Sequence, residues 1–120
     1  MDNRLIVIVG HDTNITNIAG MLDLFWLIPG YQRDDTPPGG ALVFELWCAP
    51  AGRDCAVHTY YMAQAPDQLR EARALSLESP PAKVKVFVPA CSGNDEDYSC
   101  SWSDFDHAVE AASDPAFVLN

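Results

Sequence analysis

Residues 5–14 read Leu-Ile-Val-Ile-Val-Gly-His-Asp-Thr-Asn, and this stretch decides the fold. Its first five residues are apolar without alternation, which is typical of a strand buried on both faces of a sheet. Gly10 ends that strand, and Asp12 or Thr13 then caps a helix whose apolar residues recur at helical spacing. The sequence therefore predicts a strand over residues 4–9 and a helix that is closed by Pro29-Gly30.

Length and charge restrict what the chain can be. With 120 residues, 48% of them hydrophobic, residues 1–120 are expected to form a single domain. No apolar run approaches the roughly 20 residues of a membrane span. The formal charge of −10, with 7 basic residues scattered along the chain, argues against binding to nucleic acid or to an anionic membrane surface.

The rest of the chain alternates between short regular elements and turns. Residues 41–48 and 55–64 alternate in side-chain direction and predict an antiparallel hairpin. A short helix over 67–74 and an edge strand over 83–88, with lysines on one face and valines on the other, are predicted next. A capping-box variant at Ser103-Asp104-Phe105-Asp106 opens a last helix, which stops near Pro115. The order predicts an α/β architecture.

The 4 cysteines lie in two local pairs, Cys48 with Cys55 and Cys91 with Cys100, each bracketing a turn-rich segment. Three pairings are open, and loop closure favours the two local ones. A zinc site needs tighter Cys-x2–4-Cys spacings, so disulfides are favoured over a metal. Disulfides indicate an extracytoplasmic protein, although the start of the sequence, Met1-Asp2-Asn3-Arg4, has no features of a signal peptide.

Gly10-His11-Asp12-Thr13-Asn14 is the segment whose residues packing does not explain. An imidazole and a carboxylate stand where a strand meets a helix N-terminus, which favours anions through free N–H groups and the helix dipole. A histidine there can donate to a phosphate oxygen, and an aspartate can act as a general acid. From local physics alone, a simple helix cap at Asp12 is an equally good interpretation.

Several segments at matching spacing resemble the histidine acid phosphatase family, nearest the bacterial phytase and glucose-1-phosphatase branch. The resemblance covers nearly all of this chain but only the C-terminal portion of a family member. The segments that carry it are Gly10–Asn14, Trp26–Gly30, Thr36–Glu45, Met62–Gln64, Asp67–Arg70, Leu75–Leu77, Pro80-Pro81 and the loop from Cys91 to Cys100.

The resemblance implies a phosphomonoester hydrolase that works through a phosphohistidine, without a metal or cofactor. Carried over by position, His11 would contact the phosphate together with Thr13 and Asn14, and Asp12 would protonate the leaving alcohol. The implied fold is part of a phosphoglycerate-mutase-like histidine phosphatase fold: α/β, a mixed sheet with flanking helices and a disulfide-closed hairpin. The implied location is periplasmic or secreted.

One part of the family pattern does not occur in these 120 residues, namely the Arg-His-Gly-x-Arg-x-Pro motif that carries the nucleophile. We therefore expect no phosphatase turnover by the chain alone, and a partner in the form of a complementing N-terminal polypeptide or a homo-oligomer. Self-association through residues 5–9 or the adjoining helix is a further expectation. The alternative interpretation is a non-catalytic, disulfide-stabilised binding module derived from the same scaffold.

The remaining polar candidates are weaker. His58 is interpreted as a hairpin contact and His107 as part of a solvated acidic helix face. Asp95-Glu96-Asp97 lacks the spacing of a calcium-binding loop, so a charged turn is the favoured interpretation. Glu45 lies inside an otherwise apolar strand, where an arginine from outside these residues is one conceivable partner.

Overall fold

A β-hairpin forms the centre of the structure, a computed structural model that describes residues 4–118. Strands β1 (Ala41–Cys48) and β2 (Cys55–Ala63) pair antiparallel, with Ala41 opposite Met62 and Cys48 opposite Cys55. A disulfide joins Cys48 to Cys55 at the turn. Both the hairpin and this disulfide confirm the prediction from alternation and cysteine spacing.

Two shorter strands pair with the other edge of β2. Strand β3 (Ala82–Lys85) lies antiparallel to the end of β2, and β4 (Cys100–Ser101) lies antiparallel to its beginning. β3 is an edge strand, as predicted, although its ladder ends at Lys85 rather than Val88. Within residues 4–118 the sheet is antiparallel rather than mixed, while the α/β class and the flanking helices are confirmed.

Among residues 4–118, three α-helices flank the sheet: α1 (Asp12–Leu22), α2 (Pro66–Arg70) and α3 (Trp102–Ala112), the last followed by a 3₁₀ turn at Pro115–Phe117. α3 is capped two residues earlier than predicted, at Ser101 instead of Ser103, because the Ser101 hydroxyl accepts from the Asp104 N–H at 3.2 Å. α2 is shorter than predicted, ending at Arg70 instead of residue 74. Among residues 4–118, no helix combines the length and the apolarity needed to cross a bilayer.

Helix α1 ends earlier than predicted. Asp23 adopts a left-handed conformation with φ of 55°, and the Leu24 N–H donates back to the Ala19 carbonyl at 2.9 Å. This arrangement terminates a helix by satisfying one of its last carbonyls. The chain beyond it is extended, and Leu24, Trp26 and Ile28 alternate inward, so Pro29-Gly30 lies after an extended segment and not at a helix end.

The core lies between that extended segment and the inner face of the sheet. Trp26 stacks on Tyr61 with ring centroids 4.3 Å apart, and Val86 and Val88 are fully buried beside them. Cys100, also fully buried, joins the core through its disulfide to Cys91, which confirms the second predicted pairing. The buried residues of β2 recur at every second position, which confirms the predicted alternation.

Residues 4–9 do not form a strand in this structure, which corrects the prediction. The side chains of residues 5–9 are 70–91% exposed. A strand exists only where a neighbouring backbone pairs with it, and no described strand runs alongside these residues. The apolar pattern thus indicates that residues 5–9 can form a strand, but none of the described strands pairs with them. Met1, Asp2 and Asn3 lie outside the described residues.

Candidate active site

His11 and Asp12 lie at the start of α1, and both side chains are exposed to solvent. His11 is the N-cap residue, with an extended backbone, and its carbonyl accepts from the Asn14 N–H at 3.0 Å. Asp12 is the first helical residue, where its negative charge interacts favourably with the helix dipole. The structure therefore leaves both groups accessible to a ligand instead of packing them into the protein.

Asn14 closes this turn from the other side. Its Oδ1 accepts from the His11 N–H at 2.8 Å. Because that bond assigns Oδ1 to the backbone, the Nδ2 group with its two N–H donors is directed away from it. Asn14 thus fixes the start of the helix and retains a donor that an anion can use.

Thr13 binds the carboxylate of its neighbour. The Thr13 N–H donates to Asp12 Oδ1 at 2.8 Å, and the Thr13 hydroxyl lies 3.4 Å from the same oxygen. The N–H groups of Thr13 and Asn14 therefore both donate within the protein. An anion at this turn would be left with the His11 ring and the Asn14 Nδ2 as side-chain donors, joined by the Thr13 hydroxyl only when that group turns away from Asp12 Oδ1.

Gly10, which the sequence pattern indicates only as the end of a strand, is also required for the geometry of the site. A Cβ on Gly10 would lie 2.8 Å from Asn14 Oδ1, closer than real contacts of this kind. Glycine thereby allows the Asn14 side chain to reach back to the His11 N–H. The signal was present in the sequence as a glycine directly before the cap residue and four positions before an asparagine.

The charges around the site come from few groups. The ion pairs found within residues 4–118 involve Arg33, Arg73, Lys83 and Lys85, and each joins an acidic residue outside residues 10–14. None of these pairs involves Asp12, and within the turn the helix N-terminus and the His11 ring are the features suited to an anion.

Glu45 finds its partner within the chain. Its carboxylate accepts from Lys83 Nζ at 3.0 Å and from the Trp47 indole N–H at 3.1 Å. Partial burial acts to raise the pKa of Glu45, but these two hydrogen bonds, together with the electrostatic influence of Lys83 and His58, hold the pKa below its ordinary value. The group is thus a structural ion pair on the outer face of the sheet, and no arginine from outside these residues is needed.

The other histidines lie away from His11. His58 is opposite Glu45 in the hairpin register and lies against the Trp47 ring, with centroids 6.3 Å apart. His107 and Asp104 line an open cavity of about 330 Å³ between α1 and α3. A neighbouring apolar cavity of about 340 Å³ is lined by residues including Ile18, Phe44 and Phe105. Neither cavity contains His11 or Asp12.

The acidic loop before β4 is an internally bonded turn, in agreement with the favoured interpretation. The Asp95 carboxylate accepts from the Ser99 hydroxyl at 3.1 Å, and Lys85 Nζ lies 2.8 Å from Asp97 Oδ1. Desolvation acts to raise the pKa of Asp95, and the hydrogen bonds from Ser99 and the loop backbone outweigh it, leaving the pKa lowered. No cluster of three or more metal-ligating side chains occurs among residues 4–118.

An α/β fold with a Gly-His-Asp-Thr-Asn turn at a helix start is the arrangement that the resemblance to histidine phosphatases implies. The family model described as histidine phosphatase superfamily (branch 2) matches residues 1–62, a span that includes the whole turn. The chain belongs to the histidine phosphatase superfamily, branch 2. The resemblance seen in the sequence is thereby confirmed.

Individual relatives agree with this assignment. Phytase AppA of Escherichia coli (strain K12) is 38% identical over 119 residues, which cover 99% of this chain and 27% of the phytase. The glucose-1-phosphatase of Providencia rettgeri is 35% identical over 109 residues, 91% of this chain and 26% of that protein. The chain thus spans about a quarter of the length of these relatives.

Solved structures show the same similarity in three dimensions. Hafnia alvei phytase in complex with myo-inositol hexakis sulphate superposes with a TM-score of 0.83 at 41% identity, covering 92% of this chain and 27% of that one. The phytase from Citrobacter braakii superposes with a TM-score of 0.81 at 37% identity, covering 92% and 28%. The arrangement of this chain is therefore that of one segment of a phytase.

Proposed function

We propose that this chain supplies the phosphate-binding and proton-donating half of a phosphomonoester hydrolase active site, as the C-terminal portion of a phytase-like histidine acid phosphatase. The observation that carries the proposal is the exposure of His11 and Asp12 together at the N-terminus of α1. Their position inside the span matched by the family supports it. Relatives named phytase and glucose-1-phosphatase support phosphate esters of sugars and inositols as the substrate class.

In the proposed reaction, the phosphoryl group is bound by the His11 ring and by the donors of Thr13 and Asn14. A histidine nucleophile from outside these residues attacks phosphorus and forms the P–N bond while the bond to the ester oxygen breaks. Asp12, as general acid, gives its proton to that oxygen, so that an alcohol leaves instead of an alkoxide. Asp12 Oδ1 is held by Thr13, which leaves Oδ2 as the oxygen that carries the proton.

The nucleophile and the arginines that neutralise the phosphoryl group are assigned to the remainder of the family fold. The isolated chain is accordingly expected to be inactive, since removing the nucleophile of a covalent mechanism leaves little catalysis. The completing part is a complementing polypeptide or further residues of the same one. The two disulfides, Cys48–Cys55 and Cys91–Cys100, support a periplasmic or secreted location.

The phosphate-binding role is tested on the isolated chain by titrating inorganic phosphate and following its NMR spectrum. We expect phosphate to shift the signals of the His11 ring and of the Asn14 side-chain amide. The Asn14 shift should be lost in His11→Ala and retained in the control His107→Ala, because His107 lies on α3. Shifts that survive His11→Ala would remove the basis of the proposal. Metal-independent hydrolysis of p-nitrophenyl phosphate by the isolated chain, abolished in Asp12→Asn, would contradict the expected inactivity.

The general-acid role is tested in a chimera in which this chain replaces the matching segment of E. coli phytase. Asp12→Asn is expected to slow hydrolysis of an alkyl phosphate by about 10²–10⁴-fold. The loss should be much smaller for p-nitrophenyl phosphate, whose phenolate leaves without a proton. The matched control is Asp23→Asn at the other end of α1, where asparagine also tolerates the left-handed conformation. Equal losses on both substrates would exclude Asp12 as the acid.

A further inference from the structure

Asn14 belongs to a second sequence pattern, which the phosphatase assignment does not use. Asn14-Ile15-Thr16 fits Asn-x-Ser/Thr without a proline in the middle, the acceptor sequence for N-linked glycans. No other asparagine in the 120 residues is followed two positions later by serine or threonine. Because so short a pattern also arises by chance, its position in the structure decides whether it can act as an acceptor.

The acceptor residue is accessible at the start of α1. Asn14 and Thr16 are both exposed, whereas Ile15 between them is half-buried against the core. Asn14 Oδ1 accepts from the His11 N–H at 2.8 Å, which directs the Nδ2 group away from the backbone. Nδ2 is the atom to which an N-linked sugar is attached. The atom that a sugar would join is therefore not the atom that fixes the cap of α1.

A sugar on Nδ2 is compatible with the fold. A glycosylated asparagine keeps its carbonyl oxygen and one N–H, so Oδ1 can still accept from the His11 N–H. The buried amide of Gln68 shows the opposite case, because its Oε1 accepts from the Ala65 N–H and its Nε2 donates to the Pro80 carbonyl. Asn14 thus offers an amide nitrogen that the described cap bond does not require.

The expected location and the neighbouring charge agree with this chemistry. The two disulfides support a compartment outside the cytoplasm, which is where oligosaccharides are transferred to asparagine. Asp12 stands two residues before Asn14 and is also exposed. Bacterial oligosaccharyltransferases select asparagines that have a carboxylate at this position. Residues 12–16 therefore carry both features that such an enzyme recognises.

We propose that Asn14 is an acceptor for N-glycosylation and that a glycan on it closes the anion-binding turn. Nδ2 forms a bond to the anomeric carbon of a lipid-linked oligosaccharide while the bond from that carbon to the lipid diphosphate breaks. The diphosphate leaves with the electron pair, and the proton lost from Nδ2 passes to a base of the transferase.

The glycan would affect the candidate site in two ways. It removes one of the two N–H donors of Asn14 Nδ2. It also occupies space beside His11, because the Asn14 side chain already reaches the His11 backbone at 2.8 Å. The closing of the turn rests on the proposed function, whereas the acceptor assignment does not.

The acceptor assignment is tested by exporting the full chain to the periplasm of a bacterium that contains an oligosaccharyltransferase and its lipid-linked oligosaccharide. We expect the intact mass to increase by one oligosaccharide, which tandem mass spectrometry places on Asn14. Thr16→Ala should abolish the modification, since it removes the acceptor hydroxyl and leaves the cap bond of Asn14 in place. Thr16→Ser, which keeps the hydroxyl, should retain it.

The matched control is Asn17→Gln, which changes an exposed asparagine of the same helix that lacks the acceptor pattern. This variant should be modified to the same extent as the original sequence. An exported chain without added mass, or a modification that survives Thr16→Ala, overturns the acceptor assignment.

Phosphate binding tests the closing of the turn separately. The glycosylated chain and the chain from a host without the transferase are each titrated with inorganic phosphate, and the His11 ring signals are followed by NMR. We expect glycosylation to weaken phosphate binding at least about tenfold, since an anion loses a hydrogen-bond donor. Equal affinities would overturn the closing of the turn. Absence of a His11 shift in the unmodified chain would overturn both that closing and the proposed function, while the mass measurement still decides the acceptor assignment.

Discussion

Gly10 and Asn14 are in such close contact that the Asn14 Oδ1 occupies the space of a Cβ on Gly10, at 2.8 Å. The same oxygen accepts from the His11 N–H at 2.8 Å. A residue without a side chain is therefore required for the contact that fixes the cap of α1. The geometry of the candidate site depends on this pair before any ligand is considered.

Gly10→Ala is expected to displace the Asn14 side chain and to break its bond to the His11 N–H, lowering the free energy of unfolding by about 1 kcal/mol. Gly20→Ala is the matched control, since nothing lies within 4 Å of the added Cβ at this position inside α1. It should stabilise the chain by about 0.5–1 kcal/mol through helix propensity. Urea denaturation measures both, and stabilisation by Gly10→Ala would contradict the prediction.

The site turn was predictable because it is local. Neighbouring residues at a strand-to-helix junction stay together in any fold that forms the helix, so His11, Asp12, Thr13 and Asn14 were identified as one group. It was not predictable which backbone N–H groups donate hydrogen bonds to the side chains of the turn. The bond from the Thr13 N–H to Asp12 Oδ1 depends on a side-chain rotamer that residue type does not specify.

The hairpin was predictable from period-two alternation, which survives in the buried face of β2. The end of α1 was not, because Phe25 and Leu27 are apolar although they lie outside the core, and they conceal the alternation of Leu24, Trp26 and Ile28. The prediction of a strand at residues 4–9 was wrong for a different reason. Strand formation depends on a neighbouring strand, which the pattern of one segment does not reveal.

Tyr61 and Tyr31 offer a matched test of buried hydroxyls. The Tyr61 hydroxyl is buried without a hydrogen-bond partner among residues 4–118, whereas the Tyr31 hydroxyl donates to the Gln64 carbonyl at 2.7 Å. Burial, the largest cause, raises the pKa of Tyr61, so its hydroxyl is neutral at neutral pH.

Removing the two hydroxyls should therefore have opposite effects. Tyr61→Phe is expected to be neutral or to stabilise the chain by up to about 1 kcal/mol, because it eliminates an unpaired polar group. Tyr31→Phe should cost about 1 kcal/mol, because it leaves a carbonyl without its donor. Urea denaturation measures the free energy of unfolding of both variants. A larger loss of stability for Tyr61→Phe than for Tyr31→Phe would show that the Tyr61 hydroxyl has a hydrogen-bond partner.

The Glu45–Lys83 pair predicts a pH dependence. The pKa of Glu45 is lowered from its ordinary value of 4.5, so the pair stabilises the folded chain above that pH. The contribution is lost as pH falls through the folded-state pKa, where the carboxylate becomes protonated. Glu45→Gln should then cost about 0.5 kcal/mol at neutral pH and nothing in strong acid.

The control for this pair is Glu78→Gln, which removes an exposed carboxylate in the loop before β3. Its free energy of unfolding relative to the unmodified chain should change little across the same pH range. If Glu45→Gln showed a constant difference from pH 7 to pH 3, its effect would come from packing and not from the ion pair.

The two disulfides are expected to contribute unequally. Each closes a loop of similar length, which in the chain-entropy model stabilises a fold by about 2.5 kcal/mol. Cys48 and Cys55 are only partly buried at the hairpin turn, whereas Cys100 is 1% exposed and belongs to the core. Replacing Cys91 and Cys100 with alanine should therefore cost about 1–2 kcal/mol more than replacing Cys48 and Cys55, because a buried sulfur is lost as well. The two double variants, compared by urea denaturation, test this difference, and equal losses would mean that loop closure alone accounts for both disulfides.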